Sequence, residues 1–496
     1  MKIPSALAAV AATVVLCGCS VVQNAHSQKA DMMAALMRGD NNAVMEELDY
    51  RLREPAWYNS SVVNTGDELM WRLEAGGMNL HLGRYKESLR EFRIAEKLIG
   101  EYDDRASVSA RDLGAEAGAA ITNMNALPYR GFCRDRMMLA VAKALAYLGA
   151  GREDAFRAQL HRLRTEQKKI QNDFRKFFEE EKARLDKERK KNPDAAQKAS
   201  SAAKQINSSE NREYNEGMAE VRRTAHRGYG NFLNPAALYL SALGALRDGN
   251  FDNARIDFER LHQALPDNET FRSYLATATR LAGRGLPEDL RNAAPFDFPV
   301  DRDCVYVLFA NGRSAALKQI AIYVPIMTAW PMCEFYPAPF TGLAVTANGR
   351  RYVTTPLADM DGILAQEYQE RLAGMIARIV ISTLIKEAAY YGGIVAISQA
   401  NMDSTAKAVA LAGVAVGGAV YRAATNTADT RTWEILPKEI QLTQLPMPAD
   451  RQITLELPGA AAQTIRIPAQ CRSAILLVSA PAPGNITCHV LPMTQQ

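Results

Sequence analysis

The sequence predicts a multidomain α+β protein. An N-terminal α-solenoid of helical repeats with a long helical hairpin should precede a C-terminal antiparallel β domain that carries an apolar helical insert. Three observations predict this order. The helical period dominates to about residue 294, two segments within it repeat one spacing, and short alternating runs punctuated by Gly and Pro follow residue 296. A chain of 496 residues is long enough for more than one core.

The composition excludes several functional classes. Apolar residues make up 48% of the chain and charged residues 23%, which is typical of a globular protein. The formal net charge of +4 is too small to predict a nucleic-acid partner. The six His are scattered and no Cys-x-x-Cys run accompanies them, so we expect neither a metal site nor a cofactor.

The N-terminus has the pattern of an export signal. Lys2 precedes an apolar run over residues 6–16, which is too short to span a bilayer. The run ends in Leu16-Cys17-Gly18-Cys19, which resembles the lipobox of bacterial lipoproteins. Residues 1–18 are therefore interpreted as a lipoprotein signal peptide, Cys19 as the lipidated residue and residues 19–30 as a tether. An ordinary secretory signal is the alternative.

The same resemblance implies a location. Ser20 stands where an Asp would indicate retention in the inner membrane. By similarity to lipoproteins of diderm bacteria, we expect export by the general secretory route and anchoring in the outer membrane on its periplasmic side. Acyl chains would hold the protein there without a transmembrane helix.

Export affects the interpretation of the remaining cysteines. An oxidising compartment permits disulfides, and Cys471 and Cys488 are the preferred pair because both lie in or beside consecutive strand-like segments. The alternative is that Cys133, Cys304, Cys333 and this pair are all buried as small apolar side chains.

Residues 31–295 contain the repeated spacing. A Gly at a tight turn is followed by an aromatic residue two positions later, a small residue after three more and a second aromatic four beyond that. This is the tetratricopeptide (TPR) spacing, in which small residues let paired helices approach closely and aromatics fill the groove to the next pair. The residues assigned to maintain this scaffold are Gly76, Gly83, Tyr85, Phe92, Ala155, Gly249, Phe251, Ala254 and Phe258.

A long charged hairpin is predicted within this half, at about residues 156–228. Apolar residues recur at heptad-like spacing to about residue 185, and 11 of the 13 residues from 179 to 191 are charged. Asn192-Pro193 should break the helix, and a second helical run returns through Tyr214. The hairpin is interpreted as a contact arm for a partner or a second copy, and a partly disordered insertion is the alternative.

Residues 296–496 are predicted to form the β domain. Strands are expected at residues 304–310, 319–324, 452–457, 464–467, 473–478 and 486–491, and an Asn348-Gly349 turn should join residues 343–346 to 350–353. An apolar helical insert interrupts them at about residues 361–426, with a Gly413-x-x-x-Gly417 motif. We expect a buried helical hairpin, and a membrane-inserting or oligomerising hairpin is the alternative.

No catalytic residue is assigned. Asp359 and Asp361 could coordinate a cation or divide acid and base roles. They stand where a helix begins, so Asp359 or Asp361 is better explained as an N-cap residue, and the helix dipole favours both. Asp429, Arg431 and Trp433 similarly indicate a domain-orienting salt bridge with a packed indole. We therefore expect no enzyme, with a carboxylate-dependent hydrolase as the remaining catalytic hypothesis.

Short strings along most of the chain lie at residues 129–131, 144–148, 234–235, 305–312, 357–361 and 429–433. Together they resemble a family of uncharacterised bacterial envelope lipoproteins with TPR repeats. The resemblance implies an architecture and no reaction. The resulting hypothesis is a lipid-anchored periplasmic scaffold or adaptor that binds other envelope proteins through its helices. The alternative is an oligomeric, membrane-associated pore or secretion-channel component that uses the Gly/Ala-rich insert.

Overall fold

The computed structural model describes residues 24–109, 127–191, 204–294, 303–323, 327–400 and 427–493, with residue 201 and a few positions between 403 and 411. The chain is 53% helix and 19% sheet, with helices in its N-terminal half and mainly antiparallel sheets in its C-terminal half. The predicted α+β order is confirmed at this level. Cys19 and the whole predicted signal peptide lie outside the described residues.

Ten α-helices are described before the first strand. They are α1 (Ala25–Arg38), α2 (Asn41–Leu52), α3 (Glu68–His81), α4 (Tyr85–Ser109), α5 (Cys133–Gly149), α6 (Glu153–Lys191), α7 (Arg212–Ala225), α8 (Pro235–Arg247), α9 (Phe251–Ala264) and α10 (Glu269–Leu281). Except around α7, each helix packs chiefly against its neighbours in sequence.

One type of turn ends five of these helices. A Gly with φ between 67° and 79° follows the helix at positions 39, 83, 151, 249 and 283. At α3, Gly83 N donates to Leu80 O at 3.1 Å and Arg84 N donates to Asn79 O at 2.8 Å. This pair of bonds satisfies carbonyls that the helix end leaves open, and only Gly adopts the left-handed conformation without strain. Gly83 and Gly249 therefore have the predicted role of tight turns.

Small residues face large ones where consecutive helices meet. A Cβ on Gly76 would lie 2.3 Å from a ring carbon of Phe92, so the ring rests directly on the α3 backbone. Tyr85 covers Gly149 in the same way, and Ala254 and Phe258 are fully buried in α9. At Gly76 and Gly149 the backbone of one helix therefore lies directly against an aromatic ring of a neighbouring helix.

The part of the chain that the structure describes contains eleven strands in three sheets. They are β1 (Cys304–Asn311), β2 (Ala316–Tyr323), β3 (Met327–Glu334), β4 (Ala344–Ala347), β5 (Arg350–Val353), β6 (Thr355–Asp359), β7 (Glu439–Pro446), β8 (Gln452–Glu456), β9 (Gln463–Arg466), β10 (Ser473–Ala482) and β11 (Asn485–Met493). The sheet orders are β11-β10-β1-β7-β6, β2-β3 and β5-β4-β8-β9.

One strand pairing departs from the antiparallel prediction. β1 runs parallel to β10, whereas each other strand pair in the described sheets is antiparallel. The predicted hairpin is present: β4 and β5 pair in register, and Asn348 and Gly349 both have positive φ, at 50° and 72°. Positive φ at both central residues is the requirement of a tight two-residue hairpin turn.

The five-stranded sheet lies between the helices and the four-stranded sheet. Along β1, Tyr306 and Leu308 join the core that contains the helices, whereas Val305, Val307 and Phe309 join a second core against the four-stranded sheet. This alternation follows from the two-residue period of a strand. The first core therefore runs from α1 to β11 across the boundary at residues 295 and 296, so the two halves share one interior.

The long helix of the predicted hairpin is present, but its returning arm differs. Helix α6 has 39 residues, while α7 has 14 and packs chiefly on α11 (Met360–Gln399) and on β3. Tyr214 and Met218 of α7 are buried there. The apolar face of α7 thus packs chiefly on elements of the second half of the chain, rather than on α6. The hairpin prediction is therefore wrong for this segment.

Helix α11 is the main described part of the apolar insert. It is one continuous helix of 40 residues, and Gly413 and Gly417 lie outside the described residues. Within the part of the chain that the structure describes, no helix is both long and apolar enough to cross a membrane.

The preferred disulfide is not formed. Val478 pairs with Cys488 across β10 and β11, so Cys488 lies five residues from the Ser473 end of β10, and Cys471 lies beyond that end. Five strand residues span about 17 Å, whereas bridged Cα atoms lie within about 7 Å. All five described cysteines are free thiols, and four of them are buried.

Candidate functional site: a buried segment between helices and sheet

Residues 427–438, which we name the bridging segment, lead into β7 and lie against α1, α3, α4 and α5. The segment has no helix or strand of its own, yet most of its side chains are buried. Its Trp433 ring contacts the α3 backbone at Gly77, where an added Cβ would lie 3.1 Å from the indole nitrogen. The ring also meets Phe92 edge-on, with centroids 5.8 Å apart. An extended stretch of this chain therefore fills a groove between its own helices.

A buried cation joins the bridging segment to two helices. Lys29 of α1 places its Nζ 2.9 Å from Glu74 Oε1 of α3 and 2.8 Å from Glu434 Oε1, and donates to Thr432 O at 2.7 Å. All three charged side chains are essentially inaccessible to solvent. Glu74 also accepts the backbone N–H groups of Glu434 and Ile435, at 2.8 and 2.9 Å.

The pKa values within this cluster follow from burial and charge. Burial opposes ionisation of Glu434, but Lys29 and His26 outweigh it and lower the pKa of Glu434 to about 2. Burial, together with the charge of Glu434, raises the pKa of Glu74 despite the nearby ammonium. The pKa of Lys29 is also raised, because the two carboxylates exceed the opposing effect of burial. One cation thus compensates one carboxylate well and the second only partly.

Arg431 forms a second ionic contact of the bridging segment. Its guanidinium binds Asp429 at 2.8 Å and Asp67, the residue before α3, at 3.1 Å, and it donates to Leu127 O at 2.8 Å. Burial alone would lower the pKa of Arg431, but these carboxylates raise it. The predicted salt bridge with a packed indole is therefore observed, and it ties the sheet half to the α2–α3 region.

A third cluster surrounds Arg134 of α5. This fully buried side chain binds Asp135 at 3.0 Å and Ser314 Oγ at 2.5 Å, and it donates to Trp433 O at 3.4 Å. Tyr129 donates to the same Asp135 carboxylate. The polar groups of α5 are therefore satisfied by partners in both halves of the chain, as buried charges require.

The two candidate catalytic carboxylates are held in structural contacts. Asp359 Oδ1 accepts the Gly362 N–H at 2.9 Å as the N-cap of α11. Asp361 is fully buried, binds Lys438 and accepts the Ala315 N–H at 2.7 Å. Asp359 thus agrees with the N-cap explanation, whereas Asp361 is the buried partner of Lys438 and does not cap the helix. Among the described residues, no three His, Cys, Asp or Glu side chains gather as metal ligands.

Other charged residues in the interior were not predicted from the sequence. Lys29, Glu74, Arg134 and Glu367 all lie inside helices that pack on the sheet. Glu367 of α11 accepts the Cys133 N–H at 2.8 Å and so caps α5 from another element. The available signal was a charged residue on an otherwise apolar helix face: the neighbours of Glu74 three and four positions away are Met70, Trp71, Gly77 and Met78.

The distal end of α6 is a second candidate surface. The 39 residues of α6 extend about 58 Å at 1.5 Å per residue. Among the side chains of α6 that the structure describes, Phe174 is the last buried one, and Glu180, Lys182 and Asp186 are exposed. Residues 179–191, which we name the charged arm, therefore continue for about 20 Å past the packed part of the helix.

Comparisons with protein-family models, with curated proteins and with solved structures find no match to this chain.

Proposed function

We propose that this protein is a lipid-anchored scaffold of the bacterial envelope, with a TPR-like helical array, and that it binds a partner protein through the charged arm of α6. The repeated Gly turns and the contacts of small residues with aromatic rings support the TPR-like assignment. Acylation of Cys19 and location at the periplasmic side of the outer membrane remain part of the proposal. The resemblance to envelope lipoproteins with TPR repeats is consistent with this function.

We choose the charged arm as the binding surface because the groove between the helices is already occupied. Arrays of this kind typically bind peptides along the concave face that their helices create. Here the bridging segment fills a groove among α1, α3, α4 and α5, and Trp433 and Glu434 are each about 1% exposed. A partner peptide would have to displace a buried indole and an ion pair. A partner therefore binds more readily on a surface with no such occupant.

The charged arm meets that requirement. Its sequence mixes acidic and basic groups, with five acidic and six basic residues among 13. Exposed helix faces of mixed charge select partners through complementary charges. The arm also extends about 20 Å past the packed part of α6, so a partner can bind there without displacing the helix–sheet contacts.

Site-specific photocrosslinking in cells tests this proposal. A photoreactive amino acid replaces Glu180 or Asp186 in the arm, and the matched control position is Arg466 on the exposed edge strand β9. We expect one dominant heterologous product from both arm positions and none from Arg466. Equal products from all three positions, or none from the arm, would refute the arm as the partner surface.

A product of twice the chain mass would identify a second copy of this chain as the occupant and would also overturn the envelope-partner proposal. Mass spectrometry of the N-terminal peptide tests the anchor separately. An unmodified Cys19 would remove lipid anchoring from the proposed function without affecting the crosslinking result.

A further inference from the structure

The loop between α2 and α3 presents two aromatic side chains to solvent. Trp57 is 97% exposed and Tyr58 is 75% exposed, and their rings meet edge-on with centroids 5.6 Å apart. The three other tryptophans of the chain, Trp71, Trp330 and Trp433, are at most 1% exposed. Exposure of the largest apolar side chain costs free energy in water, so its position at a loop tip needs a cause.

Hydrogen bonds hold this loop in one shape. The Asn59 side chain accepts the N–H groups of Ala56 and Ser61, both at 3.2 Å, and donates to Glu54 O at 2.9 Å. Ser61 Oγ donates to Arg53 O at 2.7 Å, which closes the base of the loop. The two aromatic residues thus project from an ordered turn that already presents them to a binding surface.

The loop lies at the same end of the molecule as the start of the described chain. Helices α1 and α2 form a hairpin of 14 and 12 residues, so the end of α2 returns to the level of Ala25. The bridging segment contacts both the start of the described chain and the residue before α3. Thr430 donates to Asn24 Oδ1 at 3.2 Å, and the neighbouring Arg431 binds Asp67 at 3.1 Å.

Asn24 is the fifth residue after Cys19, a distance of at most about 18 Å along an extended chain. If Cys19 carries the acyl chains, as the proposed function requires, this end of the molecule faces the bilayer. Trp and Tyr prefer the boundary between lipid headgroups and acyl chains, where an apolar ring and a polar N–H or O–H are both satisfied. Arg53, stacked over Tyr50 at 3.9 Å, adds a cation for lipid phosphates at the base of the loop.

We propose that Trp57 and Tyr58 insert into the headgroup region of the phospholipid bilayer as a second membrane contact that orients the anchored protein. The inference rests on the proposed lipid anchor for its geometry. The occupant is the lipid interface, and the buried contacts of the protein do not change.

Intrinsic fluorescence tests the proposal, because Trp57 is the one exposed tryptophan. The full acylated protein is reconstituted in phosphatidylethanolamine–phosphatidylglycerol vesicles that contain brominated lipid. We expect quenching and an emission shift to shorter wavelength for the wild type and for the control variant Val353→Ala, whose side chain is half exposed on β5 of the four-stranded sheet. We expect neither change for Trp57→Phe.

A second measurement uses the mature chain with Cys19→Ser, which lacks acyl chains. A Trp side chain buries 150–250 Å² when fully covered, and we expect the headgroup region to cover roughly 55–110 Å² of it. At about 25 cal/mol per Å², Trp57→Ala should therefore weaken partition into the same vesicles roughly tenfold to hundredfold. Val353→Ala should leave partition unchanged.

Three results would overturn the inference. Trp57 could stay unquenched by lipid in protein whose Cys19 is acylated by mass spectrometry, which would leave the anchor intact and the loop in water. Trp57 could become shielded only when envelope proteins are added, which would make the loop a protein contact. Unchanged partition of Trp57→Ala would show that the ring does not enter the interface. An unmodified Cys19 would instead refute the anchor, and the partition experiment would still decide the role of the loop.

Discussion

Replacement of Lys29 by Met should cause one of the largest losses of stability available from a single substitution in this chain. The ammonium is fully buried, and it lies within 2.9 Å of both Glu74 and Glu434. Met preserves the apolar stem but leaves two carboxylates and the Thr432 carbonyl without their cation. Removing one partner of a buried ion pair costs about 3–5 kcal/mol, because a buried charge is left uncompensated. The expected decrease in the free energy of unfolding is therefore about 3–5 kcal/mol.

Urea unfolding of the mature Cys19→Ser chain, followed by circular dichroism, measures this change. Lys97→Met is the matched control, since Lys97 is 78% exposed and pairs with Glu101 at 3.5 Å. Exposed pairs at this spacing contribute about 0.3–0.5 kcal/mol. Adding Glu434→Gln to Lys29→Met should recover part of the loss, because one uncompensated carboxylate disappears. A loss below about 1 kcal/mol for Lys29→Met would refute the reasoning.

The remaining predictions concern packing and acid stability. Gly76→Ala should lower the free energy of unfolding by about 1–3 kcal/mol, since the new methyl group meets the Phe92 ring. Gly100→Ala should instead raise it by about 0.5–1 kcal/mol, because the space around Gly100 is open and Ala favours the helix. Urea midpoints of both variants check this, and a loss of stability for Gly100→Ala would contradict it. The pKa of Glu434 is lowered from 4.5 to about 2, so its stabilisation is present above pH 4.5 and is lost as the pH falls toward 2. The stability difference between wild type and Glu434→Gln should therefore shrink between pH 6 and pH 3, and a constant difference would argue against the depressed pKa.

Features that depend on neighbouring residues were predictable from the sequence. The Asn348-Gly349 turn needs two residues that tolerate positive φ, and Asp359 stands immediately before a helix. The long α6 helix followed from its apolar spacing. In each case the interactions that decide the conformation lie within a few residues, so the local pattern contains the information.

Features that depend on distant partners were not predictable. Lys29 meets Glu74 across 45 residues and Glu434 from the other half of the chain, and no spacing rule connects such positions. The parallel pairing of β1 with β10 and the contact of α7 with α11 are likewise set by three-dimensional packing. The Cys471–Cys488 prediction failed because the register of β10 and β11 places Cys488 opposite Val478.

The burial of the bridging segment decides whether the helical groove is open to a partner. Hydrogen–deuterium exchange of the intact protein measures this directly through the amides of Glu434 and Ile435, which donate to Glu74. A buried segment that opens only with the core should exchange as slowly as the central residues of α3 and β1. Such slow exchange is the predicted result. Exchange as fast as that of the Trp57 loop would show that the groove opens readily, and would contradict the placement of partner binding on the charged arm.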